Sequence, residues 1–119
     1  MPPSARFAKL AAEAKSRVRE VFATEASEQQ VAGAVLIDVR ETEEFAKGHA
    51  AGALHLSRGV LELKIEDVAP DVSTLIICYC GGGSRSALAA ESLQRMGYTN
   101  VASLAGGFKA WKEAGLATS

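Results

Sequence analysis

Cysteine is scarce: the 119 residues hold only Cys78 and Cys80, one residue apart. Two thiols so placed make no framework for a disulfide-stapled secreted domain. They are also poorly placed to bond each other, because residues two apart on an extended strand sit near the ~7 Å Cα limit of a disulfide. Proline is scarce too, and Pro2, Pro3 and Pro70 all fall outside the expected helices and strands. A charge bias is missing as well. Thirteen Lys and Arg against fourteen Asp and Glu leave −1, so no overall field draws the chain to nucleic acid or to an anionic membrane. No apolar run approaches the ~18–20 residues that cross a bilayer, and the opening MPPSARFAKL lacks the apolar centre of a signal peptide. The expectation is a cytoplasmic protein with no nucleic-acid or membrane partner. Without internal repeats, low-complexity tracts or a linker, and with 48% apolar residues, one domain with a single modest core is expected.

What is present alternates. Residues 4–20 read as a helix, with Phe7, Leu10, Ala14, Val18 and Val21 at helical spacing and a local excess of Lys and Arg on the other side. A short helix from Thr24, as N-cap, to Gln30 ends at Gly33. Ala34-Val35-Leu36-Ile37 follows as a run apolar on both faces, which suits a strand inside a parallel sheet. Glu41 to Lys47 runs from acidic to basic, as the helix dipole favours, and stops at Gly48. Further strands are expected at Gly52–Leu56, Thr74–Tyr79 and Val101–Leu104. Further helices are expected at Val60–Asp67, Ser84–Met96 and Gly107–Ala114, with Phe108 and Trp111 as core. Alternating strands and helices joined by short connections predict an α/β domain around a parallel sheet.

The stretch YCGGGSRSA, Tyr79 to Ala87, carries the chemistry. Cys80 stands at the carboxyl end of the most apolar strand, where open α/β sheets bind their ligands. Glycines let backbone N–H groups turn inward, since positive φ is open to them and no Cβ obstructs a ligand. The helix that follows adds its unsatisfied N-terminal amides and positive dipole end, which stabilise a thiolate. The expectation is an anion cradle with a nucleophile at its floor, where a plain strand-to-helix turn would ask for one or two glycines. Cys78, inside the strand, reads as an inert buried thiol. A metal site from Cys78, Cys80, His49 and His55 lacks recognisable ligand spacing, and His55 has no assigned role.

Three stretches together resemble the rhodanese family of single-domain sulfurtransferases: VLIDVRETEEFAKGHAAGALHL (Val35 to Leu56), IICYCGGGSRSALAAESLQRMGYTNV (Ile76 to Val101) and LAGGFKAWKEAG (Leu104 to Gly115). The resemblance covers residues 21–117 in matching order and leaves residues 1–20 as an N-terminal helical extension. It implies a rhodanese-like three-layer sandwich: a parallel sheet of about five strands with helices on both faces, plus that extra helix. By the resemblance, Cys80 is the nucleophile that carries sulfur as a persulfide. Gly81, Gly82, Gly83, Ser84, Arg85 and Ser86 form the loop whose amides hold the sulfur anion. Asp38 and Arg40 match the family's Asp-x-Arg and His49 its Gly-His pair, and all three read as structural pins for loops.

The implied reaction is double-displacement sulfur transfer from a small anionic donor such as thiosulfate to a thiol, a protein acceptor or cyanide, with no metal or organic cofactor. Arg85 is the leading cation for the donor, against the alternative of a solvent-facing first-turn residue. Arg58 either reaches the same pocket or does not. One departure matters: many thiosulfate-using members carry a basic residue just after the cysteine, where this chain has Gly81 and Gly82. Two other readings stand beside this one. A cysteine phosphatase loop resembles Cys-x5-Arg, but only four residues separate Cys80 from Arg85. A persulfide carrier would dock a partner, with the basic N-terminal helix as its contact, and turn over small donors poorly.

Overall fold

The computed structural model describes residues 4–119, so Pro2 and Pro3 lie outside the described residues. In chain order it runs α1 (Ala5–Arg17), β1 (Arg19–Val21), α2 (Ala23–Val31), β2 (Val35–Asp38), α3 (Thr42–Lys47) and β3 (Leu54–His55). It continues with α4 (Leu61–Val68), β4 (Ile76–Tyr79), α5 (Ser84–Arg95), β5 (Val101–Leu104) and α6 (Gly107–Glu113). Five parallel strands form one sheet in the order β1-β5-β4-β2-β3. The expected α/β class, five-stranded sheet and N-terminal helix are all present.

Position in the sheet explains the apolar runs. β4 lies at the centre, and Ile76, Ile77, Cys78 and Tyr79 are all buried, so neither face tolerates a polar residue. Alternation along the strand then sorts the side chains. Ile76, Cys78 and Cys80 enter the core that holds Leu61 and Ile65 of α4 and Leu93 of α5. Ile77 and Tyr79 enter the opposite core, with Ala26 of α2 and Phe108 and Trp111 of α6. The nucleophile candidate therefore leaves the sheet toward α5.

Two expectations need correction. The first helix does not continue to Glu20. It ends at Arg17, Val18 is extended (φ −117°, ψ 157°), and Arg19–Val21 pair with Ala102–Leu104 as an edge strand. Only Val21 of β1 is buried, so nothing local marks it as a strand; its ladder partner is some eighty residues away along the chain. Thr24 likewise lies inside α2, which begins at Ala23 with Phe22 in the capping position.

α1 is capped by Ser4, whose hydroxyl accepts from Phe7 N–H at 3.2 Å, and it buries Ala11 and Ala14. It packs on α5 and is tied there by Arg17 Nη1 to Glu91 Oε2 at 3.0 Å. Leu10, expected on the buried stripe, is exposed, because the small Ala11–Ala14 row is what lets the two helices approach. Among the described residues, no helix is long and apolar enough to cross a membrane.

Candidate active site

The Cys80 side chain is buried where β4 ends and α5 begins. Its sulfur accepts the backbone N–H of Gly83 at 3.1 Å and of Ser86 at 3.3 Å, and lies 3.5 Å from the Ser86 hydroxyl. Ser86 Oγ is in turn 2.8 Å from Ser103 Oγ of β5, and both serines are fully buried. Gly83 caps α5 with φ +108°, a conformation that costs glycine nothing and other residues about 1–2 kcal/mol. Among the described residues, nothing accepts from the amides of Gly81, Gly82, Ser84 or Arg85. The loop thus offers one sulfur with two amides already on it and four more in reserve, at the positive end of a 12-residue helix.

A second helix fixes the loop from behind. Cys80 C=O accepts from Phe108 N–H at 2.7 Å and Gly81 C=O from Lys109 N–H at 3.3 Å, so the carbonyls point at the first turn of α6 and away from the sulfur. That close approach requires Gly107. Its φ is +58°, and an added Cβ would press on Cys80 C=O and lie 2.7 Å from the backbone carbon and oxygen of Gly81. We expect Gly107→Ala to lower stability by about 2–3 kcal/mol, from a left-handed non-glycine residue and a clash with backbone that cannot swing aside. A urea titration measures the loss, and an unchanged midpoint would show that the loop does not depend on α6.

The arginines are each engaged. Arg85 Nη1 and Nη2 fork onto Glu44 Oε1 and Oε2 of α3 at 2.8 and 3.0 Å. Glu44 also accepts from Glu41 N–H at 3.1 Å in a capping box. The Arg85 hydrogen bonds hold the Glu44 carboxyl down at about 2, so it is charged at any working pH. Arg58 Nη1 bonds Glu62 Oε2 at 2.9 Å, and Ser92 donates to the same oxygen at 2.6 Å. Burial raises the Glu62 carboxyl, but those two bonds outweigh it and leave the group below its usual range.

Asp38, Arg40 and His49 are brought together beside the loop rather than in it. Asp38 accepts from Arg40 N–H at 2.9 Å and from its guanidinium at 2.8–3.1 Å, and Arg40 Nη2 reaches Gly48 C=O at 2.8 Å. The His49 ring stacks on Phe45 at 3.7 Å, with Nδ1 3.0 Å from Phe45 C=O. His55 also stacks on Phe45, at 4.7 Å, and its Nε2 lies 2.7 Å from Arg40 C=O. Burial pushes the Cys78 thiol up to about 12, as suits an inert core residue.

Glu44, Ser103, Gly107 and Phe108 were not singled out for this site from the sequence. Ser103, the one polar residue in the strand VASL, and the pair Gly106-Gly107 were the available signals.

The Rhodanese-like domain family matches residues 22–114. The chain is 35% identical, over 97 residues, to thiosulfate sulfurtransferase GlpE of Pseudomonas entomophila, covering 82% of this chain and 87% of that protein. A Rhodopseudomonas palustris protein of unknown function, described as a possible tyrosine phosphatase, superposes with a TM-score of 0.87 at 30% identity, over 100% of this chain and 99% of its own. The polysulfide-sulfur transferase homodimer of Wolinella succinogenes superposes with a TM-score of 0.83 at 27% identity, over 97% and 88%. The chain belongs to the rhodanese family. Its enzyme class is sulfurtransferase.

Proposed function

We propose that the chain carries a sulfane sulfur as a persulfide on Cys80, taken from an anionic donor of the thiosulfate kind. It passes that sulfur to a thiophilic acceptor: cyanide in the test tube, and a thiol, free or on a protein, in the cell. One observation carries this reading: a buried sulfur at a helix N-terminus receives the Gly83 and Ser86 amides, while four further amides of its loop have no acceptor among the described residues. The Cys80 thiolate attacks the outer sulfur of the donor, whose S–S bond breaks with the electron pair leaving on sulfite or a thiolate. The product is Cys80–S–S⁻, and the amides of Gly81, Gly82, Ser84 and Arg85 are the donors in reach of its terminal charge. The acceptor then takes the outer sulfur and restores the thiolate. Residues 21–117 supply every group in this cycle, and α1 packs on α5. Incubation with thiosulfate or 2-hydroxyethyl persulfide should add one sulfur, about 32 Da by intact mass, which cyanide removes. A chain that gains no mass with either donor overturns the proposal.

The two buried serines have a defined part. Cys80, Ser86 and Ser103 form a chain of three heteroatoms with two links. As a thiol the group has three hydrogens for those links and leaves one unplaced. As an anion it has two, Ser103 O–H to Ser86 and Ser86 O–H to sulfur, and both are used. Hydrogen bonds in such a chain strengthen one another. We expect Ser103→Ala to shorten the life of the persulfide, by less than Ser86→Ala does. An unchanged lifetime would leave Ser103 a packing residue.

A cysteine phosphatase is the second reading, favoured by the description attached to the Rhodopseudomonas palustris neighbour. Against it, only four residues separate Cys80 from Arg85, and the Arg85 fork is already on Glu44. Hydrolysis of p-nitrophenyl phosphate that Cys80→Ser abolishes would put the phosphatase first. A persulfide carrier uses the same sulfur and differs in turning over small donors slowly.

A further inference from the structure

Every arginine around the loop has a carboxylate of its own. Arg85 is forked onto Glu44 and Arg40 onto Asp38, and Arg58 bonds Glu62 through Nη1. The two positions after the nucleophile, Gly81 and Gly82, add no cation. Those arginine–carboxylate pairs sum to about zero, so the attraction for an anion comes from backbone amides, one helix end worth about half a charge, and the exposed lysines of α6, Lys109 and Lys112.

That balance discriminates among donors by charge. Bringing the thiolate onto thiosulfate gathers three negative charges in the pocket, whereas a persulfide anion gathers two and a neutral hydropersulfide one. Glu44 is the group that sets the balance, because it alone faces the arginine of the loop itself. It is no passing partner: the Glu41 amide holds the same carboxylate from the α3 cap.

We propose that Glu44 is a specificity-determining residue whose carboxylate keeps the pocket neutral, so that the preferred donor is a thiol-derived persulfide of charge −1 or 0 rather than a dianion. The inference rests on the sulfur-transfer reading above. With such a donor, RSSH, the Cys80 thiolate bonds the outer sulfur, the donor S–S bond breaks, and its electron pair leaves on RS⁻. Cys80–S–SH then gives up its proton and RS⁻ takes one, yielding Cys80–S–S⁻ and RSH. The sulfane sulfur moves without net oxidation or reduction.

Glu44→Gln tests this, since glutamine keeps the capping box and still accepts from Arg85. The donors are thiosulfate and 2-hydroxyethyl persulfide, and the control is Glu91→Gln, an equal charge change at the remote pair with Arg17. We expect Glu44→Gln to raise kcat/KM for thiosulfate about fivefold at low salt, chiefly through KM, with the gain shrinking as salt screens it. The persulfide should change by less than about twofold, as suits its smaller charge, and Glu91→Gln should change neither. Equal shifts for both donors, or a loss with thiosulfate, overturn the proposal. The wild-type chain provides a test that needs no substitution: its KM for thiosulfate should stay level or fall as NaCl rises, and a steep rise would reveal a cationic pocket and overturn it. Failure of the underlying reading is visible separately, as no added sulfur on the wild type with either donor.

Discussion

Cys80→Ser should abolish sulfur transfer while leaving the fold intact. The substitution exchanges one atom in a buried site, and the serine oxygen can still accept from Gly83 and Ser86, so the loop keeps its two internal bonds. What it loses is the chemistry. A serine hydroxyl is un-ionised here and forms no persulfide, whereas a thiolate is both a strong nucleophile and a good sulfur carrier. No neighbour can take over, because Cys78, the other thiol, is wholly buried and pushed up to about 12. Removing a sole nucleophile of this kind typically costs on the order of 10⁴-fold or more. Thiocyanate production from thiosulfate and cyanide should fall to background, and the added sulfur should vanish from the intact mass. The urea midpoint should stay within the range of surface substitutions, about 0.5 kcal/mol. Residual transfer above a few per cent would mean that sulfur passes directly between donor and acceptor, with Cys80 only a packing residue.

The sequence exposed this residue because its cradle is contiguous. Cys80, three glycines and the head of α5 lie within seven residues, and position at the end of an apolar strand does the rest. The strands β2 and β4 were legible for a related reason: burial leaves the apolar runs Val35–Ile37 and Ile76–Tyr79, and in β5 only Ser103 interrupts the run. β1 was not legible, since Arg-Glu-Val has one buried side chain and owes its state entirely to β5. The same limit hid the rest of the site. Glu44 meets Arg85 across 41 residues and Ser103 meets Ser86 across 17, pairings that follow from the order of strands rather than from any spacing. Gly107 read only as the first residue of the last helix, and its work is to let α6 reach the carbonyls of a loop folded from elsewhere. Charge balance was half visible. Gly81 and Gly82 showed that cations were missing, but only the fold shows that Arg40, Arg58 and Arg85 are paired.

Asp38→Ala should be the most damaging change to the fold itself. Asp38 is wholly buried and Arg40 nearly so, and their bidentate contact also carries a third bond to the Arg40 backbone. The guanidinium lies 4.5 Å from the Phe108 ring centroid and donates to Gly48 C=O, so it cannot swing out to water without releasing the α3–β3 connection. Removing the carboxylate strands a permanent charge inside the protein, at a cost of about 3–5 kcal/mol. Against a total stability of about 5–15 kcal/mol, that is enough to unfold part of the population at 37 °C. Damage should spread to the neighbouring loop, because Arg40 C=O anchors His55 and the Phe45–His49 stack sits on the same turn. Urea titration should show a midpoint far below that of the wild type with an unchanged slope. The combined change Asp38→Ala with Arg40→Met should recover much of the loss, since it removes the stranded charge along with its partner. If the double variant is as unstable as the single one, the destabilisation comes from lost packing, and the pair is not what holds β2 to the α3–β3 connection.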